Sequence, residues 1–418
     1  KTLAVRSRPD AMALRRLILM GSRLSLFLAC LVFAGPASAS DRLTVETLCN
    51  LVKTAIQQRE AAQTAFPVEL TTADSRIVRV TFRPPTTAWR IAITQIEDKY
   101  GKPSMRSRIM PPCKLVDARR LQRDAEGAVS AIEILEQDLS GVRITEPVNP
   151  PAPKLSAGNA RARLAHVDTG VNYLLPRVWD RLASDTGGRL LGYDFWDGDD
   201  RPFDMDPRRN VFLPLHHGTT VFSVLARESG DEPIAVYRFP ASNMCRLADL
   251  VRHMAALGVR VVNMSMGSFD PADWDCFASA AQNYPDMLFV VSAGNDGRDL
   301  DEAPVYPAAL PLENMITVTS SDNFGQRGRG SNVGAGTVDI MVPAERVAVF
   351  DHRGVRDETG GTSYAAPRVA GLAMRYLSAN PKASTGDIIA FLVSRARPAS
   401  DTPLVHGWIP DPSDDFGF

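Results

Sequence analysis

Past residue 151 the chain alternates short, apolar, β-branched runs with helical stretches, and this alternation limits the folds open to it more than any other feature. The runs cover 164–167, 234–237, 259–263, 288–292, 316–319 and 338–342. The predicted helices cover 218–227, 247–257, 275–283, 364–379 and 386–395. Strands that take turns with helices pack as a mostly parallel sheet covered on both faces. The expectation for residues 151–418 is therefore an α/β domain of three layers with a mostly parallel central sheet. In such sheets the working residues gather at the carboxyl ends of the strands. The helix after Ser363 is apolar nearly all round (Ala365, Ala366, Val369, Ala370, Leu372, Ala373) and belongs deep in the interior.

Residues 40–150 read as a small α+β domain. Two β-rich runs, 68–70 and 77–82, flank a turn-like segment at 71–75. Leu121, Ala125, Val129, Ile132, Leu135 and Leu139 recur at three- and four-residue steps, which predicts a helix over 115–139 that Gly141 stops. The proline-rich stretch 147–153 cannot continue a helix or a central strand, and the domain boundary is placed there. A length of 418 residues is ample for this division.

Residues 1–39 carry a third pattern. Arg15, Arg16 and Arg23 precede an apolar run over 24–34, and the small residues Ala37, Ser38 and Ala39 follow. This order predicts a secretory signal peptide cleaved after Ala39, with translation starting at Met12 or Met20. An uncleaved anchor is the alternative, but the run falls short of the ~20 residues of a comfortable span. No later segment reads as membrane-spanning. Cys30 lies in the signal, so an exported chain keeps Cys49, Cys113, Cys245 and Cys276. Pairing within each domain, Cys49 with Cys113 and Cys245 with Cys276, is the simplest expectation, against free buried thiols. No C-x-x-C occurs, and the six histidines are not spaced as zinc ligands.

The formal charge of −1 conceals a gradient. Residues 1–39 hold six basic groups and one acid, residues 40–150 hold 16 and 14, and residues 151–418 hold 25 and 33. Nothing here supplies the basic footprint that nucleic acid calls for, so no such partner is expected.

Four clusters fall at strand ends or helix starts. They are Asp168-Thr169-Gly170, His217-Gly218-Thr219, Gly294-Asn295 and Gly361-Thr362-Ser363-Tyr364-Ala365-Ala366-Pro367. Turn and cap chemistry explains any one of them alone. Together they supply an acid, a base, an amide donor and a hydroxyl, in one of the chain orders in which nucleophilic triads occur.

The four clusters resemble the motifs of the subtilases, the subtilisin-like serine proteases. The resemblance covers about residues 155–395 and leaves 40–150 unexplained. It implies a subtilisin-like fold and peptide-bond hydrolysis. Ser363 would be the nucleophile, His217 the general base, Asp168 its orienting carboxylate and Asn295 an oxyanion donor. His217, not His216, takes the family position because it directly precedes Gly-Thr. Ser265, Met266 and Gly267 would pair with the substrate backbone, while Ala293 and Gly294 would help to wall the pocket for the side chain before the cut. Thr220 and Tyr364 replace residues common in relatives, at positions outside the triad.

The chemistry itself requires no cofactor. Six aspartates within 13 residues (Asp194 to Asp206) are rich in oxygen ligands, and subtilases often use calcium to brace loops. A structural Ca²⁺ at Asp197, Asp199, Asp200 and Asp204 is accordingly an expectation. Residues 40–150 stand where relatives carry an inhibitory, intramolecular propeptide; a permanent accessory domain is the competing reading. The leading expectation is a monomeric, exported serine endopeptidase, periplasmic or extracellular, acting on protein or peptide substrates. A non-catalytic binding module and an enzyme restricted to self-processing or one dedicated partner are the alternatives.

Overall fold

The computed structural model describes residues 43–62, 67–86, 88–399 and 401–413; the signal peptide predicted over 1–39 lies outside them. The chain begins with helix α1 (Val45–Ala62), whose Leu48, Val52 and Ala55 recur at helical spacing and are buried. A seven-stranded antiparallel sheet follows, with strands in sequential order: β1 (Val68–Thr71), β2 (Ile77–Arg83), β3 (Ile91–Glu97), β4 (Pro103–Met110), β5 (Lys114–Arg123), β6 (Val129–Leu135) and β7 (Val142–Pro147). Helix α1 packs on β1 and β3. The Cys49–Cys113 disulfide ties the helix to the β4–β5 connection, as the cysteine count led us to expect.

The helix expected over 115–139 is instead the β5–β6 hairpin. Its turn is closed by the side chain of Asp124, which accepts from Ala128 N at 2.8 Å, and by Gly127 at φ +82°. The misleading three-residue spacing has two physical sources. A register shift opposite Arg108 and Ile109 leaves Val116 unpaired, so Leu115 and Ala118 are both buried across a bulge. Ala118 and Leu121 then belong to opposite faces of the strand, both covered. Leu121 and its cross-strand partner Ile132 pack against Met205 and Phe212, beyond the proline-rich stretch. Arg119 donates to Phe212 O at 3.1 Å beside them.

After the proline-rich stretch comes an eight-stranded sheet in which every paired neighbour is parallel. Its strands are β8 (Leu164–Asp168), β9 (Gly192–Asp194), β10 (Ile234–Arg238), β11 (Val261–Met264), β12 (Leu288–Ser292), β13 (Met315–Ser321) and β14 (Ile340–Pro343). A separate hairpin, β15 (Val347–Phe350) and β16 (Arg356–Thr359), precedes the last, short strand β17 (Gly407–Trp408). The order is β17-β14-β13-β12-β11-β8-β10-β9. All residues of β8 and of β10 to β14 are buried, which explains their unbroken apolar runs.

One face of the sheet is covered by α2 (Gly218–Glu228), α5 (Thr362–Ala379) and α6 (Thr385–Arg395), whose apolar residues share a cluster with Val236, Val261 and Ile316. The other is covered by α3 (Leu247–Leu257) and α4 (Asp275–Gln282), packed with Tyr237, Val262 and Phe289. The α/β class and the six predicted strands therefore hold, with no end moved by more than two residues. The Cys245–Cys276 disulfide joins the start of α3 to α4. Among the described residues no helix is long and apolar enough to cross a membrane.

Candidate active site

β8 lies between β10 and β11, and its carboxyl end delivers Asp168 to the point where the strand order turns back. The carboxylate is 2% exposed. Its Oδ1 accepts from Thr169 N at 2.7 Å, while His217 Nδ1 donates to Oδ1 at 2.8 Å and lies 3.0 Å from Oδ2. That bond places the proton on Nδ1 and leaves Nε2 basic.

His217 immediately precedes α2, and the start of that helix is held from below. Thr169 Oγ1 accepts from Gly218 N (2.7 Å) and donates to Asp204 Oδ1 (2.5 Å), while Asp204 Oδ2 accepts from Thr219 N (2.8 Å). Asp204 thus caps α2 with a negative charge where the helix dipole favours one. The approach requires glycine at 218, because a Cβ there would collide with the Gly170 carbonyl.

His166, two residues before Asp168 on β8, is fully buried. Its Nε2 donates to Gly218 O at 3.0 Å, and its Nδ1 accepts from Asn263 Nδ2 at 3.2 Å.

Ser363 is the second residue of α5 and is partly exposed. Gly361 caps the helix at φ +123°, a conformation side chains rarely adopt, and brings the chain against Asn295. Thr362 N donates to Asn295 Oδ1 at 3.0 Å, so the amide is anchored by its oxygen and its nitrogen is the end left for a ligand. Thr362 Oγ1 accepts from Gly294 N at 3.1 Å.

Pro367 explains a further contact. It has no N–H, so the Ser363 carbonyl four residues earlier loses its helical partner. Ser265 Oγ takes that place and donates to Ser363 O at 3.0 Å.

Burial opposes a charge on His217. The Asp168 carboxylate, through its charge and its hydrogen bond, together with Asp204 behind it, nevertheless holds the imidazole above its ordinary pKa. Burial and the neighbouring His352 instead hold His216 below it. His216 is turned away from Asp168, with Nδ1 donating to Asp204 O at 2.7 Å.

A cleft of about 340 Å³ opens beside Asp168 and His217 and is lined by Ser265, Met266 and Gly267. Ala293 and Gly294 lie outside that lining: Ala293 is fully buried and both support the turn that carries Asn295.

Two of the four acids expected to hold calcium face arginines. Asp197 meets Arg238 at 2.7 Å and Asp199 meets Arg201 at 2.6 Å, while Asp204 lies beneath the histidine helix. Spacing alone did not single out Asp204 for that role. Asn332 was missed altogether: it is buried, accepts from Asp296 N and Arg298 N (3.0 and 2.9 Å), and donates to Ala293 O at 2.8 Å, so it shapes the turn around Asn295. No local motif marks it, since its partners lie more than 30 residues away.

An imidazole held by a buried carboxylate is an arrangement that hydrolases with a serine nucleophile use. Comparison with known proteins narrows the class. The Subtilase family model (Peptidase_S8) matches residues 164–408, and the chain belongs to that family.

Similar proteins include a thermophilic serine proteinase of Bacillus sp. (strain AK1), 27% identical over 52% of this chain and 53% of that one. The halolysin-like extracellular serine protease Nep of Natrialba magadii is 28% identical, over 53% of this chain and 41% of its own. Alkaline serine exoprotease A of Vibrio alginolyticus is 29% identical, over 55% and 41%. The chain thus spans about half, or less, of the length of these relatives. Among solved structures, a cold adapted subtilisin-like serine proteinase matches with a TM-score of 0.48 at 23% identity, covering 62% of this chain and 95% of that one.

Proposed function

We propose that the protein is an exported serine endopeptidase. The observation that carries this reading is the bond from His217 Nδ1 to the buried Asp168, in a chain where Asn295 holds Thr362 N at the start of α5 and Ser265 holds the carbonyl of the next residue, Ser363. Ser363 Oγ attacks the scissile carbonyl, and His217 Nε2 accepts its proton and later returns it to the leaving amine. The Asp168 carboxylate keeps the tautomer and stabilises the imidazolium. Asn295 Nδ2 and the Ser363 N–H, which heads a helix with no intrahelical acceptor, stabilise the oxyanion. Substrate backbone lies along Ser265–Met266–Gly267, as an added strand.

No cofactor enters these steps. Residues 1–39 would direct export, in keeping with the extracellular relative. Turnover of a generic unfolded protein distinguishes this reading from a binding module or a self-processing enzyme.

The direct test is labelling with a fluorophosphonate, comparing wild type with Ser363→Ala and locating the adduct by mass spectrometry. An adduct on Ser363, absent from the variant, supports the reading; a folded wild type that stays unlabelled refutes it. Asn295→Ala is expected to lower kcat by about 10²–10³ with little change in KM, a size known from a member of the same family. Steady-state kinetics on a peptide substrate check it.

Residues 44–150 are proposed as a retained brace rather than a removable inhibitor. Leu121 and Ile132 seat on Met205 and Phe212, in the segment that leads to His217, and no residue before Asp168 lines the cleft. The surplus of two positive charges over 40–150 also suits the acidic partner, within the reach that salt allows. Intact-mass measurement of the active enzyme is expected to find residues 44–150 still attached; an active species beginning near residue 150 would assign them to a propeptide.

A further inference from the structure

We propose that Asp204, His216 and His352 form a binding site for one transition-metal dication of the Zn²⁺ class, next to the catalytic histidine. The three residues are remote in sequence, yet one ligand atom of each lies within 4.8 Å of the others. Asp204 is completely buried, and His352 lies against His216 with ring centroids 3.7 Å apart and planes 16° from parallel, so one ring must turn for both lone pairs to meet a single ion.

Three features separate this cluster from an ordinary polar contact. First, His352 Nδ1 is buried and has no hydrogen-bond partner, although it stands 3.5 Å from Asp204 Oδ2. A buried polar atom left so is costly. Two ligands bound at 2.0–2.1 Å to a tetrahedral ion are about 3.4 Å apart, so the gap is too wide for a good hydrogen bond and suits a shared ion.

Second, the supporting bonds are those of metal ligands. His216 Nδ1 donates to a carbonyl, Asp204 O at 2.7 Å, which fixes the tautomer and leaves the lone pair on Nε2. The Asp204 carboxylate is itself oriented by Thr169 Oγ1 and Thr219 N. His352 is fastened through its own carbonyl, which accepts from Asn172 Nδ2 at 2.6 Å.

Third, the cluster opens on a cavity of about 310 Å³ lined by His216, His352, Arg119 and Glu146. This gives an ion a way in and leaves room for water at a fourth position. Two imidazoles and one carboxylate suit Zn²⁺ and its neighbours in the first transition row, not Ca²⁺, which takes six to eight oxygens. An ion there would join the β15–β16 connection to the cap of α2.

The test uses the full chain, freed of metal by chelation and titrated with Zn²⁺ alone by calorimetry and with Co²⁺ alone by visible absorption. One equivalent of each is expected, with the strong d–d bands of a four-coordinate Co²⁺ site. His352→Ala, checked for folding by circular dichroism, is expected to weaken Zn²⁺ binding by at least about 100-fold, more than the loss of an outer-shell partner costs. Should that variant not fold, diethyl pyrocarbonate modification of wild-type His216 and His352 replaces it, with Zn²⁺ expected to slow both reactions. Absence of one-equivalent binding, unchanged affinity in folded His352→Ala, or modification indifferent to Zn²⁺ would each overturn the site.

Discussion

Ser363→Ala and His217→Ala are each expected to reduce kcat by about 10⁶, and the double variant to be no worse than either single one. In the proposed mechanism the two side chains perform one operation. The imidazole has nothing to deprotonate without the hydroxyl, and the hydroxyl is a poor nucleophile without the base. Once either is gone, the other contributes almost nothing further to the barrier. What survives comes from Asn295, the first N–H groups of α5 and the strand at Ser265–Met266–Gly267, and amounts to roughly 10³–10⁴ over the uncatalysed reaction. Single-turnover and steady-state rates on one peptide ester, measured for all four forms, check the pattern. Losses that multiply in the double variant would show that the two residues act independently and that the proposed relay is wrong.

Asp168→Asn is the second large effect, a fall in kcat of about 10⁴ near neutral pH with the fold intact. An amide can offer its N–H to Nδ1, which would then carry the lone pair, and the proton would sit on Nε2, the nitrogen that must accept from Ser363.

The pH profile distinguishes this cause from simple misplacement. His217 must be neutral to act as base, so the acid limb of kcat/KM follows its pKa. The carboxylate raises that pKa against the effect of burial. With the charge removed, burial prevails and the limb moves to lower pH.

Stability follows the same sign. The raised folded value means that protonated His217 adds stability below about pH 6.5, an increment lost as pH rises through the folded pKa. The variant lacks that increment, and denaturant midpoints at acidic and alkaline pH measure it.

The central sheet was legible because β8 and β10 to β14 are buried on both faces. Such strands are short, apolar and β-branched, and glycine or proline marks their ends. The helices between them carry their apolar residues on one side.

The amino-terminal sheet hid itself for the opposite reason. Its β5 strand places Ala118 toward one covered face and Leu121 toward another, and a bulge at Val116 adds one more step of three. Periodicity reports which residues are buried, and here two different neighbours did the burying. Helix α1 did carry a readable stripe in Leu48, Val52 and Ala55 that was passed over.

At the site, Asp168, His217, Asn295 and Ser363 were visible because glycines and small residues crowd the backbone around them. Asp204 was read as one oxygen among many; only the folded chain shows Thr169 Oγ1 and the α2 amides converging on it. Asn332 and His352 act through space on residues far along the chain, and no window of sequence contains both ends of such contacts.

The proline of the serine motif works by omission. Because Pro367 offers no N–H, the Ser363 carbonyl is fastened to Ser265, at the edge along which a substrate would lie. The part that grips and the part that cuts are thereby one mechanical piece. Alterations along that edge will register in turnover as well as in affinity, so selectivity in this cleft is expressed through rate and cannot be retuned by binding alone.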